Sequence, residues 1–186
     1  MHSVRAHWGR VHYLRGEEMD HSDRGNHEDS IGWIVESKGE CALELLMQLQ
    51  RRNWYVSSDA HELVRSLSPV SSLTTGNVKL ALVTPTECGS SVCSTQSLMD
   101  VARARDLRLA TPEIALLLAL QHDPNTFGAP YVVVMHQPVH VKGRGHPRAR
   151  ILAISLERST PGIVAPRAKS GSGWASDRKF IFRSRV

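Results

Sequence analysis

A chain of 186 residues with 41% hydrophobic content can bury one ordinary core, and its formal charge of +5 leaves it free to meet acidic partners. Three cysteines, Cys41, Cys88 and Cys93, are an odd number, which argues against a disulfide framework and for a reducing, cytoplasmic setting. Arg5, Arg10 and Arg15 lead into no apolar stretch, so no secretory signal is expected, and the uninterrupted apolar run of residues 114–120 is too short for a membrane span of about 20 residues.

Residues 1–30 are polar and rich in histidine, with His2, His7, His12, His21 and His27 lacking any paired zinc spacing. They read as a flexible N-terminal segment, with Val4, Trp8 and Val11 near helical spacing. Residues 31–186 read as a single domain. A short strand is expected over residues 31–35, and Ser37 to Glu40 has the spacing of a capping box. The helix that follows carries Ala42, Leu45, Leu46 and Leu49 on one face, with Cys41 beside that stripe as a buried structural thiol. Arg51 and Arg52 suit its negative end, and Asn53 stops it. After an extended piece at residues 54–56, Ser58 is placed to cap a second helix with Ala60, Leu63, Val64 and Leu67 on its apolar face. Residues 78–83 alternate as a strand. Ser94 or Thr95 then caps a third helix with Leu98, Met99, Val101 and Ala102, whose trailing Arg103, Arg105 and Arg108 form a solvated face.

The stretch 111–135 organises the rest. Thr111 stands at an N-cap, Pro112 at the first helical position and Glu113 at the positive helix end. Every residue from Ile114 to Leu120 is apolar, so the helix over residues 112–121 has no side to give to water and belongs in the interior. Asp123, Pro124 and Asn125 break it, and the β-branched run that follows suits a central strand. Residues 136–150 read as a long exposed hairpin loop, 150–156 as a strand, 159–173 as a second loop, and 179–185 as a last strand. In that last strand Phe180 and Phe182 face inward, while Lys179, Arg183 and Arg185 point the other way. Sequential strands with short loops pair antiparallel most easily, so the fold class expected is α+β, amphipathic helices on a small, mostly antiparallel sheet.

The pattern of residues 78–182, a strand, the helix-rich stretch 97–121, the run YVVVMHQPV and a closing aromatic strand, resembles small bacterial proteins without an assigned activity. That resemblance implies a bacterial origin and transfers no catalytic residue. The residues after His140 depart from it, being basic.

No phosphate loop ending in Gly-Lys-Ser or Gly-Lys-Thr is present, nor a Gly-x-Ser-x-Gly elbow. The glycine-rich run from Lys169 to Trp174 is by itself a weak anion motif. Cys88, Cys93, His136 and His140 supply a ligand set that zinc accepts, but their spacings favour neither a metal site nor a Cys-His nucleophile. No metal and no cofactor is expected.

Charge is the stronger signal. Residues 124–186 hold eleven Lys and Arg against two Asp and Glu, a local +9, while the rest of the chain is at −4. Lys142, Arg144, Arg148, Arg150, Arg167 and Lys169 gather in two loops, with Trp174 as a candidate stacking platform. The expected function is a non-catalytic interaction module that binds an acidic protein or polyanion through this basic region. The alternatives are a nucleic-acid-binding protein, which needs clustered positive charge and an exposed aromatic, and a metal-dependent or cysteine enzyme.

Overall fold

The computed structural model describes residues 31–89, 93–142, 146–157, 159–168 and 173–185. The fold is α+β. Seven strands form one sheet, in chain order β1 (Ile31–Ser37), β2 (Tyr55–Val56), β3 (Gly76–Val83), β4 (Tyr131–Val134), β7 (Ala153–Ser155), β8 (Gly162–Val164) and β9 (Arg178–Arg183), while β5 (Val139–Val141) and β6 (Arg148–Arg150) form a separate ribbon. The spatial order is β1-β3-β9-β4-β7-β8-β2. Only β9 with β4 and β8 with β2 run parallel; the other neighbours are antiparallel.

Four helices cover this sheet: α1 (Ala42–Arg51), α2 (Ser58–Arg65), α3 (Thr95–Ala104) and α4 (Pro112–Gln121). Strand alternation divides the core in two. Val132, Val134, Ile154, Ile181, Val78 and Leu80 pack with α1, α2 and α4 on one face, whereas Val133, Ala153, Phe180, Phe182, Ala81 and Val83 pack with α3 on the other. The all-apolar α4 is explained by its place. It packs on β1, β4 and β7 and against α1, and residues Glu113 to Ala119 are all buried.

Several expectations are corrected by the geometry. β9 does not pair with the strand before it in sequence but lies at the centre of the sheet, between β3 and β4 and parallel to β4. Its second face therefore buries Ile181 instead of offering a wet basic row. The two loops expected at residues 136–150 and 159–173 contain β5, β6 and β8. α1 is capped by Cys41, whose amide donates to Glu44 Oε2 at 3.0 Å, while Ser37 Oγ accepts from the Gly39 amide; the capping box is thus shifted by four residues. Cys41 is half-buried at that cap. α2 is capped by Ser57, whose Oγ accepts from Ala60 N at 3.2 Å, one residue earlier than expected.

The outer edge of β1 is occupied by α4. Glu36 N donates to Gln121 Oε1 at 2.8 Å and Gln121 Nε2 donates to Glu36 O at 2.6 Å, so one carboxamide reproduces the pairing of a neighbouring peptide. His122 Nε2 meets Ile34 O at 2.9 Å. A register shift between Ile31 and Trp33 interrupts the strand near its start. At the other end of α4, the Ser72 amide and hydroxyl donate to the buried Glu113 carboxylate at 3.2 and 2.8 Å. Burial pushes that carboxyl up, but the donors gathered on it outweigh burial and hold it below the ordinary range.

A disulfide joins Cys88 to Cys93, a single local pairing that the expectation against a disulfide framework did not foresee. It ties the turn Pro85–Cys88, steadied by Arg105 Nη1 on Glu87 Oε1 at 2.6 Å, to the residue preceding the cap of α3. Cys93 in turn exchanges backbone hydrogen bonds with Trp174, at 3.3 and 2.7 Å. No helix of the described residues is long and apolar enough to cross a membrane.

A candidate binding groove between α2 and the β5–β6 ribbon

The basic residues of the C-terminal third do not share one role. Arg150 is buried at 8% exposure; its Nη2 pairs with Asp59 Oδ2 and its Nη1 donates to Ala165 O, both at 2.7 Å. Arg178 lies over the rings of Tyr131 and Trp174, 4.6 and 5.5 Å from their centroids. Lys179 Nζ donates to Phe127 O at 2.8 Å, and Arg185 Nη1 to Asp106 Oδ2 at 2.7 Å. Arg183 is half-buried on β9. Among the described residues this leaves Lys142, Arg148 and Arg167 exposed. Arg144 and Lys169 lie outside the described residues, as does most of the glycine-rich run before Trp174.

These three lie on or beside the ribbon, and only Lys142 and Arg148 line the groove next to it. β5 and β6 pair antiparallel with Val141 opposite Arg148 and Val139 opposite Arg150. Arg167 forms a bridge opposite Arg150, and Ala168 N donates to Ala149 O at 2.9 Å. Directly opposed residues in an antiparallel pair share a face, as do residues two apart on one strand. The register therefore assigns Arg148, Arg150 and Arg167 to one face, together with Val139 and Val141. Val141, buried at 5%, fixes the ribbon to the core beside α2.

Between that face and the first turns of α2 lies a polar groove of about 440 Å³, lined by Ser58, Asp59, Glu62, Val141, Lys142, Arg148 and Arg150. Its two walls differ in sign. The ribbon contributes Lys142 and Arg148 and α2 contributes Glu62, while Asp59 and Arg150 neutralise each other at the junction. Among the described residues, a ligand would meet the cations Lys142 and Arg148 on one side and the carboxylate of Glu62 on the other.

Trp174 is not a stacking platform. It is 1% exposed, its Nε1 donates to Thr95 Oγ1 at 2.9 Å, and its ring meets Phe180 edge-on at 5.4 Å. The sulfurs of Cys88 and Cys93 are bonded to each other, so the Cys-His ligand set does not exist as thiolates. His136 is 2% exposed, its Nδ1 on Gln137 O at 2.7 Å and its Nε2 accepting from Leu152 N at 2.8 Å. That pairing selects the neutral ring with its proton on Nδ1. Burial lowers the His136 pKa, against the opposing effects of the Gln137 carbonyl and Glu113. Among the described residues no three His, Cys, Asp or Glu side chains converge as metal ligands.

Sequence reasoning missed Asp59 and Glu62 as parts of this site, since both sit on the polar face of an ordinary amphipathic helix. It also missed the anchoring role of Arg150. An arginine flanked by the apolar residues Ala149 and Ile151 is a weak hint of burial, legible only once the strand is placed. No known protein family, no curated protein and no solved structure matches the chain, so the resemblance to small bacterial proteins gains no support from them.

Proposed function

We propose that this domain is a non-catalytic interaction module that takes a short acidic segment of a protein partner in the groove between α2 and the β5–β6 ribbon. One observation carries the reading. The exposed cations Lys142 and Arg148 line one side of the groove on a ribbon that Arg150 ties to Asp59 and to the Ala165 carbonyl, with Arg167 exposed beside it, which supports reading that side as an ordered positive wall. Glu62 on the facing wall limits what fits. A few carboxylates can engage the ribbon, whereas a long, uniformly charged chain would be driven against Glu62. For the same reason, and because Trp174 is buried, nucleic acid is the weaker candidate.

The test is a fluorescence anisotropy titration of a labelled Asp- and Glu-rich peptide, with single-stranded DNA as competitor and salt as a variable. Binding of the peptide should weaken as salt rises, and replacing Lys142, Arg148 and Arg167 together by Gln should weaken it by about tenfold or more. Glu62→Gln should strengthen it. Undiminished binding by the triple variant would refute the groove, and preferential binding of DNA would favour the nucleic-acid reading.

A further inference from the structure

A second cavity lies on the α3 face of the sheet, away from the charged groove. Its volume is about 210 Å³, and its walls include Met99, Leu109, Met135, His136, Ile151 and Trp174. Among the described residues no charged side chain lines it. The two heteroaromatic rings are already satisfied: the Trp174 indole N–H is held by Thr95, and both His136 nitrogens are engaged by the backbone. What they can offer the cavity is ring surface.

We propose that this cavity is a binding site for one small neutral aromatic molecule, of the size of a substituted benzene or an indole. Size is the first argument. An apolar protein cavity of about 150 Å³ stays dry and accepts benzene, so the present volume accommodates a slightly larger ring and excludes a drug-sized ligand. Composition is the second. Two thioethers adapt their shape and favour contact with ring edges, while indole and imidazole surfaces favour aromatic over aliphatic guests. The third is charge. With the polar atoms of Trp174 and His136 paired internally, a buried carboxylate or ammonium would find no opposite charge among the described residues of this lining. At the rim, exposed Gln137 can meet a hydroxyl or a ring N–H of the bound molecule.

The experiment is a two-dimensional 1H–15N NMR titration of the full chain with indole, with Ala168→Phe and Met99→Phe as variants that fill the cavity from two sides. The wild type should show saturable shifts of the Trp174 indole N–H and of the Met99, Met135 and Ile151 amides. Each folded variant should lose affinity by about tenfold or more, as expected when a bulky side chain occupies the ligand's place. Indole-3-acetate should bind about tenfold worse than indole, since its carboxylate meets no cation among the described lining residues. Absence of saturable shifts in the wild type, undiminished affinity in both variants, or equal affinity for the charged analogue would each overturn the proposal.

Discussion

Replacing Arg150 by Ala separates the anchor of the ribbon from its working face. Arg150 is 8% exposed, and its guanidinium makes two contacts at 2.7 Å, to Asp59 and to the Ala165 carbonyl. A hydrogen bond from a charged donor contributes about 1.5 to 3 kcal/mol. The Asp59 side chain is 45% exposed, so that ion pair is screened and adds no more than about 1 kcal/mol. Losing both should destabilise the domain by roughly 2 to 4 kcal/mol, with some of the effect coming from lost packing of the aliphatic stem. Urea unfolding reads this directly: at a slope of about 2 kcal/mol per molar, the midpoint should fall by about 1 to 2 M. Asp59→Asn should cost about 1 kcal/mol or less, and Arg148→Ala should stay within about 0.5 kcal/mol of wild type. Equal midpoints for Arg150→Ala and Arg148→Ala would show that Arg150 does not hold the ribbon and would remove the basis for an ordered positive wall.

Leu117→Asp, at a site 2% exposed in α4, should cost several kcal/mol, comparable with a whole domain stability of about 5 to 15 kcal/mol, and abolish the cooperative melt. Reduction of the Cys88–Cys93 bond, or its replacement by Ala at both positions, releases a loop of sequence separation 5; chain entropy sets the loss near 2 kcal/mol, measurable as a lower melting temperature. His136 makes stability fall with acid. Its folded pKa lies below the ordinary value of 6.5, so the neutral ring costs nothing above 6.5, and stability is lost as pH drops from there toward the folded pKa while the unfolded chain takes up the proton. Urea midpoints across that window should decline in the wild type and decline less in a folded His136→Gln variant; parallel declines would remove His136 as the cause.

Much of the fold was legible because helix and strand periodicities survive in isolated segments. α1, α2 and α3 carry one-sided stripes, α4 carries none because it is enclosed, and β3 and β4 have the β-branched residues of interior strands. β8 was hidden for a physical reason. Gly162, Ile163 and Val164 form too short a run, between Pro161 and Pro166, to signal a strand, and their pairing depends on β7 and β2 supplying partners. The central position of β9 was equally inaccessible, since which strand enters the gap between β3 and β4 is settled by tertiary packing. Trp174 and Arg150 misled for opposite reasons: a tryptophan beside a glycine-rich run resembles an exposed platform, and an arginine among arginines resembles a free cation. Both are decided by partners distant in sequence, Thr95 and Phe180 for the one, Asp59 and Ala165 for the other.

The carboxamide of Gln121 bears on how this molecule behaves in a crowd. A strand from another molecule seeking to lengthen the sheet at β1 would have to evict a side chain that already satisfies the Glu36 amide and carbonyl, and would then meet the irregular register near Ile31. The opposite border, β2, is two residues long and offers little to pair with. Both ends of the sheet thus resist polymerisation, and the substitution that exposes this is Gln121→Glu, which keeps the shape but replaces a donor to the Glu36 carbonyl with a repelling oxygen. Its signature would be slow, concentration-dependent assembly of an otherwise folded protein.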